Sequence, residues 1–219
     1  MTSYPSQAIH DAESEQDAES EQDAEGARPD SRPTAVLVRH GETPWSLALR
    51  HTGRTDVGLD PEGEAEAHRL AAVLRRWTFD RVMVSPLSRA QQTCRLAGYG
   101  EVAEVVADLA EWDYGDYEGR TTSDIRKERP GWQLWVDGVP GGETLAELAT
   151  RADRVVATIR TGTGEVAVFS HGHLLRVLAA RWVGLDPAAA ALLALDAGGV
   201  CRLAWEHENR VINLWNSTS

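Results

Sequence analysis

Residues 34–40 read TAVLVRH, and residues 165–171 read EVAVFSH. Each begins as an apolar run without polar alternation. That is the pattern of a strand covered on both faces, as in a parallel sheet. Each run ends on a histidine followed by glycine, in RHGET at 39–43 and SHGH at 170–173. Working outward, residues 81–85 (RVMVS) and 102–107 are two more strand candidates. Asp60-Pro61 opens a helix expected to reach about Trp77, with Asp60 as N-cap, Pro61 at the first helical position, and Glu62 and Glu64 in the first turn. Residues 88–96, 121–129, 143–161 and 173–183 also read as helices, and 111–120 as a polar, Gly-rich loop. Residues 200–206 and 210–215 read as two strands joined by a tight turn at Glu208-Asn209. Strands alternating with helices predict an α/β fold of three layers, α/β/α. Its sheet is mostly parallel, with one antiparallel edge strand supplied by the closing hairpin.

The chain has 219 residues, enough for one domain and a tail. The expected boundary is a disordered acidic repeat tail over 1–33 and a folded domain over 34–219. Residues 11–26 repeat DAESEQ, DAESEQ, DAEG with no aromatic or β-branched residue, a composition that cannot offset its ordering entropy. The first 34 residues hold nine acidic and two basic side chains, so most of the net charge of −12 lies there. The acidity argues against nucleic acid and against an anionic membrane surface as partners. Two Cys make no disulfide framework, which points to a reducing, cytoplasmic setting. The longest apolar run, 188–195, is far below the roughly 20 residues of a membrane span, and residues 1–10 do not resemble a secretory leader.

Open α/β sheets bind ligands outside the carboxyl ends of their strands, which is where His40 and His171 fall. Arg39, and Arg89 of SPLSR at 85–89, converge on the same end. Two guanidinium forks match phosphate oxygens, and a helix beginning near Gly172 adds amide donors. A neutral imidazole can attack phosphorus and carry the group covalently. A leaving alkoxide needs a proton, and Glu111, at the end of the third strand candidate, is placed to give it. The Asp and Glu residues show no metal-ligand spacing, so no metal is expected.

RHGET, SPLSRAQQT at 85–93, Glu111 within LAEWDYGDYEG at 109–119, and SHGH together resemble the histidine phosphatase superfamily. This is the branch that holds cofactor-dependent phosphoglycerate mutases and many small-molecule phosphatases, and the resemblance spans about 34 to 215. It implies a phosphoglycerate mutase-like fold, His40 as nucleophile, a phosphate pocket of Arg39, Arg89 and His171, and Glu111 as proton donor. It also implies that Thr52-Gly53, Tyr114 and Gly172 lie at the substrate, with no cofactor. Many members carry Asn where this chain has Ser46, so a weaker hydroxyl contact to phosphate is expected there. Glycolytic mutases carry an Arg pair for the substrate carboxylate where residues 131–144 offer Val136-Asp137. Repulsion by Asp137 argues for a phosphatase. Among phosphatases, the EWDYG loop and the later GGET are most similar to mycobacterial-type broad-specificity acid phosphatases and fungal-type sedoheptulose-1,7-bisphosphatases. Trp112, Tyr114 and Tyr117 would suit a sugar phosphate.

The alternatives are a bisphosphoglycerate-dependent mutase and a regulatory protein that binds a phosphoprotein. The expected partner is a small phosphorylated substrate, and a homodimer stays open. Glu42 is expected to orient Arg39 or the loop backbone, and His173 to give hydrogen-bond support. His51, His68 and His207 are expected to be solvated. Most tryptophans are read as packing, and Cys94 and Cys201 as buried fillers.

Overall fold

The computed structural model describes residues 32–218. The acidic repeat therefore lies outside the described residues. Six strands form one sheet: β1 (Thr34–Arg39), β2 (Arg81–Val84), β3 (Ala103–Val105), β4 (Glu165–Ser170), β5 (Val200–Glu206) and β6 (Asn209–Ser217), in the order β3-β2-β4-β1-β5-β6. The pairs β1–β4, β2–β4 and β2–β3 are parallel, while β1–β5 and β5–β6 are antiparallel. The closing hairpin thus supplies the antiparallel edge.

The helices are α1 (Pro44–Leu47), α2 (Pro61–Leu74), α3 (Ser88–Leu96), α4 (Thr122–Glu128), α5 (Leu134–Asp137), α6 (Leu145–Thr161) and α7 (Gly172–Trp182). Strand residues alternate between two cores. Ala35, Leu37, Met83, Val166 and Val168 pack on the face that carries α6 and α7. Val36, Val38, Val82, Val84 and Phe169 pack with Leu70 and Leu74 of α2 and with Ala90 and Cys94 of α3. Covering both faces explains why these strands lack polar alternation.

Local chemistry moves several boundaries. Asp60 caps α2 as expected, accepting from Gly63 N at 2.8 Å, but the helix stops at Leu74 and Trp77 turns back to pack beneath the sheet. The third strand shrinks to three residues because short 3-10 turns at Gly100–Val102 and Ala107–Leu109 take its ends. The long helix starts at Leu145, where Thr144 and Glu147 form a capping box. The last turn falls at His207-Glu208, not at Glu208-Asn209, because His207 takes the left-handed conformation (φ 50°) and Glu206 pairs with Asn209.

The sheet order creates the site. The chain leaves β1 toward β2 and leaves β4 toward β5, on opposite sides, so a crevice opens at their carboxyl ends. The two strands pair in register, Arg39 opposite Ser170, and His40 N donates to Ser170 O at 3.0 Å. This register sets His40 and His171 side by side, with ring centroids 5.2 Å apart. Gly41 is required here: a Cβ would sit 2.4 Å from Gly63 O, so the turn after His40 packs directly on the backbone of α2.

Candidate active site

A cavity of about 520 Å³ opens at this end of the sheet, lined by Arg39, His40, Glu111, Tyr114 and the first turns of α7. His40 is buried, and its Nδ1 lies 2.7 Å from Gly41 O. A carbonyl only accepts, so Nδ1 carries the proton and Nε2 keeps the lone pair. Burial, then Arg39 and Arg89, hold the His40 imidazole well below its ordinary value, so the ring is neutral. His171 is likewise held down by burial, Arg89 and His40.

Arg39 ends β1 and donates from Nη1 to Leu195 O at 2.5 Å, while its buried Nε has no hydrogen-bond partner. A buried donor left unpaired is costly.

Arg89 and His171 are brought to the site but lie beneath it, fully buried and outside the cavity lining. Arg89 Nε donates to His171 Nδ1 at 3.2 Å, and its Nη groups donate to the carbonyl oxygens of Thr55, Thr52 and Gly53. His171 Nε2 therefore carries the ring proton and donates to Ser85 Oγ at 2.6 Å.

Glu111 is also buried and is held by three amides. Oε1 accepts from Trp112 N (2.9 Å) and Leu174 N (3.0 Å), and Oε2 accepts from His173 N (3.1 Å). Two of the amide donors expected from the start of this helix, those of His173 and Leu174, are thus taken by Glu111. From behind, Arg151 clamps the loop that bears Glu111. It donates to both Glu143 carboxylate oxygens and to the carbonyls of Asp108, Ala110 and Glu111.

Several expected substrate contacts change role. Ser46 lines the cavity, but its hydroxyl donates to Thr43 O and accepts from Thr43 N, so its proton is spent locally. Thr52 lines the cavity and Gly53 does not; both hold Arg89 through their carbonyls. Tyr114 lines the cavity and its hydroxyl meets His173 Nδ1 at 2.5 Å. Burial and Glu111 push that phenol well above its ordinary value, so the hydroxyl stays protonated. No hydrogen bond or ion pair joins the Glu42 carboxyl to Arg39, and the Glu42 carbonyl accepts from Asp60 N at 3.1 Å.

Asp137 does not line the cavity. Its carboxylate accepts from Gln133 N at 2.7 Å and faces Arg129, so it exerts no repulsion on a carboxylate ligand at the site. The repulsion expected from Asp137 therefore does not tell a phosphatase from a mutase. His68 and His207 are exposed, but His51 is not simply solvated. His51 lines the cavity, its ring centroid 4.9 Å from that of Tyr114, and burial lowers its pKa to about 4. Arg50, Arg176 and His173 line the cavity as well. Burial pushes the thiols of Cys94 and Cys201 up to about 12, leaving them inert fillers. No group of three or more His, Cys, Asp or Glu among the described residues is arranged to hold a metal ion. No helix among them is long and apolar enough to cross a membrane.

This chain is 40% identical over 176 residues to an acid phosphatase of Mycobacterium tuberculosis, covering 78% of this chain and 86% of that protein. It is 36% identical over 190 residues to a sedoheptulose 1,7-bisphosphatase of Saccharomyces cerevisiae, covering 72% and 70%. The solved structure of an open reading frame from Mycobacterium tuberculosis shares the fold with a TM-score of 0.80 and 38% identity, over 85% of this chain and 98% of that one. Residues 35–218 match the histidine phosphatase superfamily, branch 1. With this match, the phosphatase relatives and the paired histidines at the sheet's carboxyl end, the chain belongs to the histidine phosphatase superfamily and is a phosphatase of that type.

Proposed function

We propose that the enzyme hydrolyses small phosphate monoesters through a phosphohistidine on His40, without a metal. The observation that carries this reading is the His40 tautomer. The Nδ1–Gly41 bond leaves an unprotonated Nε2 in a cavity that Arg39 also lines. The phosphoryl group docks against Arg39, with the positive charge of Arg89 beneath it. The Nε2 lone pair forms the N–P bond as the P–O bond to the alcohol breaks. Oε2 of Glu111 accepts one amide and has a further position at which to carry a proton; that proton passes to the leaving oxygen. Water then attacks phosphorus, Glu111 takes its proton, and inorganic phosphate leaves with the N–P bond broken. Charge stabilisation by guanidinium and amide donors is what phosphoryl transfer chiefly needs.

Quenching the reaction in alkali and mapping the peptide that holds His40 by mass spectrometry tests the scheme. An acid-labile phosphate on His40 is expected; turnover with that peptide unmodified at every time point rules the scheme out.

The electrostatics also fix a pH response. His40 must be neutral to attack, and burial with Arg39 and Arg89 lowers its pKa, so the active form persists to more acid pH than a free imidazole allows. NMR titration of the free enzyme should give a His40 midpoint below 6.5. A midpoint at or above that value contradicts the assigned environment.

A further inference from the structure

Glu111 lines two cavities, the catalytic one and a second of about 680 Å³. Ala110, Glu143 and Arg151 line the second, and neither Glu143 nor Arg151 lines the first. At Ala110 and Glu111 the loop therefore meets open space on this side, and hydrogen bonds rather than packed side chains have to hold its backbone.

Arg151 supplies them. Its side chain and that of Glu143 are 17% and 13% exposed, and they meet as a bidentate pair at 2.7 and 2.8 Å. The other bonds of the fork go to main-chain oxygens. Nη1 donates to Asp108 O at 2.6 Å and to Ala110 O at 2.9 Å, and Nη2 donates to Glu111 O at 3.3 Å. The carbonyls of Ala110 and Glu111 belong to the two peptide groups that flank the Glu111 Cα. Each peptide group is planar, so holding both sets φ and ψ of Glu111 and the direction of its Cα–Cβ bond. The Glu143 backbone ties down the residues that follow. Its carbonyl accepts from Trp112 Nε1 at 2.7 Å, and its amide donates to Asp113 O at 2.9 Å. Two of the amides that grip the Glu111 carboxylate belong to α7. The side chain thus spans from the loop to that helix, and Arg151 fixes the loop end of the span.

We infer that Arg151 is a positioning residue for proton transfer: by holding the peptide planes on either side of Glu111 it aims the carboxyl at the leaving oxygen, and Glu143 holds the guanidinium in that pose. This rests on the proton-donor role proposed above for Glu111.

Three variants test it. Arg151→Lys keeps the charge but replaces the fork by a point charge. Glu143→Gln keeps the size of the side chain and weakens its hold on the fork. Arg154→Gln removes a more exposed cation on the same helix, whose hydrogen bonds go to the Asp108 carboxylate alone. kcat/KM is measured on an alkyl phosphate and on 4-nitrophenyl phosphate, in the wild-type and Glu111→Gln backgrounds, with the thermal midpoint recorded throughout. Arg151→Lys should lose about tenfold to a hundredfold on the alkyl ester, the scale of a misplaced catalytic group, and far less on the aryl ester, whose leaving group needs no proton. Glu143→Gln should show the same pattern at smaller size, and Arg154→Gln should stay near wild type on both. In the Glu111→Gln background Arg151→Lys should cost little more, because the group it aims is gone. A merely structural role would lower both esters alike and add its full cost to Glu111→Gln. Either result overturns the inference, as does an alkyl-selective loss of equal size in Arg154→Gln, or failure of both Arg151→Lys and Glu143→Gln to fold. If Glu111→Gln itself shows no alkyl-selective loss, it is the proton-donor reading that fails, and the inference falls with it.

Discussion

His40→Ala should lower kcat by about 10⁴-fold or more on every ester that the wild type cleaves, while leaving the protein folded. Removing the nucleophile from a site that works as a unit costs far more than removing one supporting group. Arg39, Arg89 and Glu111 remain in the variant, but they have nothing to deliver phosphorus to. The ring makes one side-chain hydrogen bond, to the carbonyl next in sequence, so its loss leaves the sheet register intact. The measurement is kcat on an alkyl and an aryl phosphate, with the thermal midpoint recorded in parallel. Wild-type turnover by a folded His40→Ala protein would eliminate covalent catalysis at this position.

Glu111→Gln should show the second largest effect, and its pattern matters more than its size. Loss of a general acid typically costs 10²–10⁴-fold. The full loss is expected for alkyl phosphates, whose alkoxide cannot depart unprotonated. A 4-nitrophenyl ester, which leaves as a stable anion, should lose far less in the first step. Because the same carboxylate is assigned to activate water in the second step, phosphohistidine should accumulate with the aryl ester. The amide replacement keeps an oxygen for the Trp112 and Leu174 N–H groups but sets an NH₂ against His173 N–H. A lower thermal midpoint is therefore expected, and it is separable from the leaving-group trend. Equal losses on alkyl and aryl esters would remove Glu111 from proton transfer.

Much of this arrangement is legible in the chain itself. The strand runs at 34–39 and 165–170 are apolar on both faces because both faces are covered, and that gave the parallel sheet and the place of His40 and His171. Asp60-Pro61 and Thr144 announce their helices through side-chain caps. The four-residue helices α1 and α5 are shorter than the spacing needed to show a helical period, although Thr43 caps α1 and Pro44 opens it. At the site, residue type and strand ends found Arg39, His40, Arg89, Glu111 and His171. Arg176 and His51 escaped because their facing depends on how α7 and the 48–53 loop meet across the cavity. Arg151 is 40 residues from Glu111 and acts on backbone carbonyls, which carry no side-chain signature. For Arg176 a usable cue did exist: it stands three residues beyond His173 in SHGHLLR, a helical step from a residue already placed at the site.

The first turn of α7 has a wider consequence. His171 is its N-cap, and Glu111 is fastened to the amides of His173 and Leu174, so in the proposed scheme one rigid body carries the groups flanking both phosphorus and the departing oxygen. That body acts as a caliper with a single setting. The bond being cut can be gauged in only one way, whatever hangs from it, and selectivity among esters has to be written farther out along the rim. Retuning this enzyme for a new compound is therefore a matter of exchanging side chains at the mouth while the caliper stays untouched.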